Sequence, residues 1–189
     1  ILCGKVNKKL VRLLEKEGGR GVGLSGMDGS LFQAVPLKEP DGTEYGYVGD
    51  ITGVNEKIVL DALDAGYIPV VIFGSRRGKQ TIPATISMQI RRQKKLAVAL
   101  KAKKLILLTD VCGLMSTPGD ASSLILIESI GGSALVKSSV ISGGMIPKVD
   151  CCVEAIRQGV ERANIQDGRI PHSLLIEILS QDGVGTMFS

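Results

Sequence analysis

Leu105-Ile106-Leu107-Leu108-Thr109-Asp110, residues 105–110, is a short apolar run closed by polar residues. Such a run reads as a strand buried on both faces, the kind a parallel sheet uses. Thr109-Asp110-Val111-Cys112-Gly113 forms the polar exit at its carboxyl end. Downstream, Ser142-Gly143-Gly144-Met145-Ile146-Pro147-Lys148 joins a side-chain-poor turn to a helix start. Pro147 suits the first helical turn, where its missing N–H costs nothing. Val149, Cys152, Val153 and Ile156 give the following helix an apolar stripe, and that helix ends near Gly159. Ala163-Asn164-Ile165 reads as the next strand. Strand, helix and strand in that order predict an α/β fold: a mainly parallel open sheet sandwiched between helices.

The same alternation runs through the rest of the chain. Val6, Leu10, Leu13 and Leu14 mark a helical face stopped by Gly18-Gly19, and Gly21-Val22-Gly23-Leu24 a short strand. Leu31 to Leu37 and Tyr45 to Ile51 form a predicted hairpin around Pro40-Asp41-Gly42. Asn55 is positioned to cap a helix through Ala65, with Gly66 as its stop, and Tyr67 to Ile72 follows as a buried strand. Pro171 opens a helix through Leu179, and Val184 to Phe188 closes the chain as a strand.

With 189 residues and 44% apolar content, the chain can bury one sizeable core, and no apolar run is long enough to span a bilayer. A soluble protein without a membrane partner is expected. Cys3, Cys112, Cys151 and Cys152 lack metal-ligand spacing, which points to reduced thiols, a cytoplasmic location and no resident metal. Ile1-Leu2-Cys3-Gly4-Lys5 has neither the composition of a signal peptide nor an initiator methionine, as if the chain were entered partway through. Arg76, Arg77, Lys79, Arg91, Arg92, Lys94 and Lys95 resemble a nucleic-acid patch. Yet aromatics are only 3% of the chain and no recognition motif accompanies the charges, so a basic nucleic-acid-binding protein is the weaker alternative.

In open α/β sheets, ligands sit outside the carboxyl ends of the strands. Gly143-Gly144 lets backbone N–H groups approach an anion, and the helix start adds unsatisfied donors and positive dipole there. The Lys148 ammonium would face that loop. Asp110 either caps its own turn or orients a nucleotide or Lys148; Asp167-Gly168-Arg169 reads as a turn. His172, the only histidine, reads as a helix-start residue rather than a base.

Gly143-Gly144-Met145-Ile146-Pro147-Lys148, Leu107 to Val111, Asp167 to His172 and Gly183-Val184-Gly185-Thr186-Met187 together resemble the acetylglutamate kinases of the amino-acid kinase family. Gly4 to Lys8 and Gly46 to Asp50 fit in the same order. The resemblance implies ATP-dependent phosphorylation, with Mg2+, of the side-chain carboxylate of N-acetyl-L-glutamate in arginine biosynthesis. It makes residues 1–189 a single partial kinase domain, mostly the nucleotide-binding C-terminal part. By position, Lys148 stabilises the transferring phosphoryl group, while Asp110, Val111, Cys112, Gly113, Leu114, Met115, Ile141, Ser142, Gly143 and Gly144 line the ATP site. Arginine-inhibited relatives imply an effector region at His172, Glu177, Gly183 and Gly185, and the intact family a homo-oligomer. A catalytically dead arginine-binding remnant is the second alternative.

Two departures from the family are expected to impair activity. Its N-terminal third, with the glycine-rich lysine loop, has no counterpart here. The second departure is internal: where the family carries Tyr-Asn-Ile-Asn-Ala-Asp-Thr-Ala-Ala, this chain reads Ala84-Thr85-Ile86-Ser87-Met88-Gln89-Ile90-Arg91-Arg92-Gln93. Those residues can be encoded GCT ACA ATA TCA ATG CAG ATA CGG CGG CAA, and dropping the first two bases restores the family motif. Residues 73–93 are therefore read as translated out of frame. This stretch carries Arg76, Arg77, Lys79, Arg91 and Arg92 and no acidic residue, more charge than the whole chain's formal net +4, so the basicity travels with it.

Overall fold

The computed structural model describes residues 1–38, 44–72, 75–77, 80–82, 86–117, 120–128, 143–179 and 184–189. Two compact units divide it, Ile1–Arg92 and Gln93–Ser189.

In the first unit, α1 (Asn7–Lys16) packs on a parallel pair, β1 (Gly21–Ser25) and β4 (Ile68–Ile72). The buried Asn7 side chain ties helix to strands, its Nδ2 donating to the Val70 carbonyl at 2.7 Å. A Cβ on Gly23 would lie 1.9 Å from Asn7 Oδ1, so that glycine is what lets the asparagine reach in. The expected hairpin forms as β2 (Phe32–Lys38) antiparallel to β3 (Glu44–Val54), its predicted turn at Pro40-Asp41-Gly42 lying outside the described residues. β5 (Ser75–Arg77) pairs antiparallel with β6 (Gln80–Ile82) and touches β2 at Gln33↔Arg76.

Two expectations are corrected in this unit. Helix α2 (Lys57–Asp64) has Glu56, not Asn55, at its N-cap, because the Asn55 amide donates instead to the Gly29 carbonyl at 2.8 Å. Nor is β4 buried on both faces: among the described residues it pairs only with β1, and Ile68 is 45% exposed. Just before it, the Arg20 guanidinium stacks 4.3 Å over the half-exposed Tyr67 ring.

Helix α3 (Ile86–Ala99) leads into the second unit. There β7 (Lys104–Thr109) and β9 (Arg162–Asp167) run parallel in register from Lys104↔Arg162 to Thr109↔Asp167, which is the parallel core the sequence predicts. The sheet order is β7-β9-β10-β8, with β8 (Ile127–Glu128) and β10 (Thr186–Phe188) parallel to each other. The closing strand β10 runs antiparallel to β9, so the sheet is mixed rather than uniformly parallel. Gly185 makes that approach possible: its φ is 122°, and a Cβ there would sit 2.2 Å from the Ile165 carbonyl oxygen. Helices α4 (Ile146–Arg157) and α5 (Ser173–Leu179) complete the unit. Ala97, Ala155 and Val160 form a buried cluster, packed by Val98, Ala102 and Leu105. On α4 the buried residues are Val149, Cys151, Cys152 and Ala155, while Val153 and Ile156 are only half-buried. The buried stripe is thus rotated from the one the apolar spacing suggests.

Candidate active site

The carboxyl ends of β7 and β9 lie side by side because Thr109 opposes Asp167 in the parallel register. Gly168 N–H donates to the Thr109 carbonyl at 2.8 Å, which fixes the last residue of β7 against the turn that follows β9. Asp167 stays clamped in that turn. Its carboxylate accepts from the Arg169 backbone N–H at 2.8 Å, from Nε at 2.9 Å and from Nη2 at 2.7 Å. The Arg169 side-chain hydrogen bonds, with its backbone N–H, hold the Asp167 carboxyl down at about 2. The expected turn is present, and Arg169 makes it rigid.

Above this floor comes α4. Gly143–Met145 form a 3-10 turn leading into the helix, Pro147 occupies its first turn as expected, and among the described residues no side chain caps its N-terminal N–H groups. A Cβ on Gly144 would meet nothing within 4 Å, so the described fold does not itself demand a glycine there. A helix start that no described side chain caps, next to a glycine, is the geometry an anion uses. Ile141 and Ser142, expected beside it, lie outside the described residues.

Lys148 follows one residue after Pro147 and reaches back to the strand ends. Its Nζ donates to Thr109 Oγ1 at 2.5 Å and lies 4.0 Å from Asp110 Oδ1. Thr109 Oγ1 in turn donates to Asp110 Oδ1 at 3.2 Å, so ammonium, hydroxyl and carboxylate form a chain. Asp110 is 87% exposed and Lys148 23%, which leaves the carboxylate in water and most of the lysine side chain covered. Asp110 thus lies within ion-pair reach of Lys148.

Val111 and Cys112 continue into a loop held from below. Leu114 N–H donates to the buried Thr186 Oγ1 at 2.8 Å, and Met115 bridges to Leu124 across the loop. Among the described residues no cluster of three or more His, Cys, Asp or Glu is arranged to hold a metal ion.

The effector region looks different from the expectation. Glu177 Oε1 accepts from Lys104 Nζ at 2.9 Å and from Asn164 Nδ2 at 2.7 Å, and the side chain is 7% exposed. It is a strut between α5 and the sheet rather than an open acceptor. Gly185 is accounted for by the approach of β10, and Gly183 lies outside the described residues. His172 takes φ 60°, and its carbonyl accepts the first N–H groups of α5, from Leu175 at 2.9 Å and Ile176 at 3.1 Å, which makes it the helix-start residue the sequence indicates. As for the basic patch, Arg92 is 1% exposed and so is not a surface charge.

The amino acid kinase family model matches residues 94–167, the stretch that holds β7, α4 and β9. Across 189 residues the chain is 50% identical to the acetylglutamate kinase of Clostridium beijerinckii, covering 99% of this chain and 65% of that enzyme. The chain is thus a homologue of acetylglutamate kinases and carries an amino acid kinase match over residues 94–167. It spans about 65% of the length of that kinase, and 64% of the acetylglutamate kinase of Syntrophomonas wolfei, to which it is 43% identical. The fold of the chain also matches N-acetylglutamate synthase from Neisseria gonorrhoeae, complexed with coenzyme A and N-acetyl-glutamate. That match has a TM-score of 0.82 at 25% identity and covers 98% of this chain and 41% of the synthase. The same synthase complexed with coenzyme A and L-arginine matches with a TM-score of 0.75 at 27% identity over 90% of this chain and 38% of the synthase.

Sequence reasoning singled out Lys148 and Asp110 but gave Thr109 no role of its own. Its signal was there: a hydroxyl at the last position of a buried strand, directly before the acidic residue. Arg169 was read only as part of a turn, and Thr186 only as part of a motif.

Proposed function

We propose that the chain carries the phosphate-handling end of an acetylglutamate kinase, which transfers the γ-phosphoryl group of ATP to the side-chain carboxylate of N-acetyl-L-glutamate in cytoplasmic arginine biosynthesis. The observation that carries this reading is Lys148, held at the carboxyl end of β7 on a helix whose start no described side chain caps. The 50% identical acetylglutamate kinase supports the choice of substrate. In this reading, backbone N–H groups from Gly143 to Met145 take the phosphate oxygens and Lys148 offsets charge on the group in transfer. Asp110, in contact with the lysine network, keeps the ammonium aimed. A glutamate side chain has a pKa of about 4.3 and is already ionised, so the acceptor needs no general base. His172, set as a helix start, agrees with that.

Mg2+ belongs to the nucleotide in this scheme. The described residues offer no carboxylate cage, and magnesium is commonly bound through substrate phosphates and one or two carboxylates, of which the exposed Asp110 is the candidate here. Bound with the nucleotide, it would neutralise phosphate charge. L-Arginine as an effector rests on the synthase complex and on the α5 region, and would have to take Glu177 from Lys104 and Asn164. Assembly into a homo-oligomer is part of the same family reading.

Calorimetry with Mg-ATP tests the reading. The chain should bind ATP weakly, and Lys148→Ala should lower the affinity by about tenfold or more, the worth of a charged hydrogen bond. Equal affinity in the two proteins would remove Lys148 from the site.

A further inference from the structure

We infer that Thr109 is a positioning residue for Lys148: its hydroxyl accepts a hydrogen bond from the ammonium and donates its own to the Asp110 carboxylate, and so sets where the ammonium stands before a phosphate arrives. This rests on the reading of Lys148 as the phosphate-facing lysine.

Three features make Thr109 suited to the task. Its backbone cannot drift, because it closes β7 in register with Asp167 and its carbonyl accepts the Gly168 N–H at 2.8 Å. Its side chain is β-branched, which restricts the hydroxyl to few directions. A hydroxyl also accepts and donates at once, which neither valine nor an amide of the same size can do at one atom. The Lys148 Nζ therefore meets an acceptor at 2.5 Å, while the carboxylate stays at 4.0 Å, reached mainly through the hydroxyl's own bond at 3.2 Å. A direct lysine–aspartate pair would neutralise the cation that the phosphate needs. Interposing a neutral hydroxyl holds the lysine and leaves donors on the ammonium for the incoming anion. Lys148 itself sits on α4, whose buried Val149 and Cys152 pin the helix, so freedom remains only in the lysine's methylenes. Thr109 removes that freedom.

The test uses the chain as it is, with Thr109→Val and Thr109→Ser. Valine is close to isosteric and should leave the thermal unfolding midpoint nearly unchanged; serine keeps the hydroxyl. Without nucleotide, acetylation of Lys148 by an N-hydroxysuccinimide ester, followed by peptide mass spectrometry, should be several-fold faster in Thr109→Val and close to wild type in Thr109→Ser, with Lys57 as an internal control. Mg-ATP affinity should fall several-fold in the valine variant and recover in the serine variant. Unchanged labelling of Lys148 in folded Thr109→Val, or a serine variant that behaves like valine, overturns the inference. If the labelling pattern holds while the wild-type chain binds no ATP, Thr109 still positions Lys148 and it is the phosphate-site reading that fails.

Discussion

Thr186 holds Leu114 in place: its hydroxyl accepts the Leu114 backbone N–H at 2.8 Å and donates to the Ile125 carbonyl at 2.6 Å, with no exposure to solvent. The last strand of the chain thereby ties down the loop that leaves Asp110. Thr186→Val keeps the shape and strands both backbone groups, and each unsatisfied buried group costs about 1–3 kcal/mol. A lowered urea midpoint, together with weaker Mg-ATP binding, is the expected result. A variant as stable as the wild type would show that water replaces the hydroxyl and that the loop does not depend on it.

The Asp167–Arg169 clamp predicts a pH dependence with a definite sign. The carboxyl is held at about 2 in the folded chain against an ordinary 3.8, chiefly by the Arg169 hydrogen bonds. A depressed folded value adds stability above the unfolded value, and that stability drains away as pH falls through the folded one. Asp167→Asn should therefore be less stable than the wild type at neutral pH, and the gap should narrow between about pH 4 and pH 2. Denaturant midpoints across that range check it. A gap that stays constant down to the lower limit would mean that the carboxylate charge contributes nothing.

The cysteines report on α4. Burial pushes the Cys151 thiol up to about 11 and raises Cys152 as well, since a thiolate loses its hydration there. In the native chain at neutral pH, a thiol-reactive disulfide reagent should modify exposed Cys3 quickly and half-buried Cys112 more slowly, while Cys151 and Cys152 wait for denaturant. Rapid native reaction of four thiols would mean that α4 is not packed as described.

The sequence made the second unit legible because each of its elements carries its own punctuation. The apolar Leu105–Leu108 run, Pro147 at a helix start and the strand at Ala163–Ile165 each allow one reading, and β7, α4 and β9 follow them. What it concealed are the interactions that depend on tertiary approach. Nothing local to Gly185 says that β10 will turn antiparallel and press its backbone on Ile165, and nothing local to Glu177 says that Lys104 and Asn164 will claim one oxygen. Asn55 misled for a related reason: a capping side chain is equally able to bond a neighbouring turn, and Gly29 stood within reach. The family match begins at residue 94, next to the stretch read as out of frame. Sequencing the coding DNA decides that reading, since a codon series that cannot yield Tyr-Asn-Ile-Asn-Ala-Asp on a shift rules it out.

Turnover is the last expectation. The resemblance implies that the family motif set against residues 84–93 supplies an asparagine that holds the acceptor and an aspartate that orients lysines, whereas this chain has Thr85, Ser87 and Gln89 in that stretch. Loss of one preorganised contact in a transition-state site costs about 10²–10³ in rate. Poor placement of the attacking carboxylate adds to that, because positioning itself contributes several powers of ten, roughly 7–11 kcal/mol in well-aligned systems. The chain, at 65% of the length of its Clostridium beijerinckii relative, should therefore show no detectable acetylglutamate phosphorylation in a hydroxamate assay, while still binding Mg-ATP. Restoring the in-frame motif alone should leave it inactive, and restoring it together with the part of the relative's length that the chain does not span should give activity. Turnover by the present chain would show that the acceptor is held by residues other than those the family motif supplies.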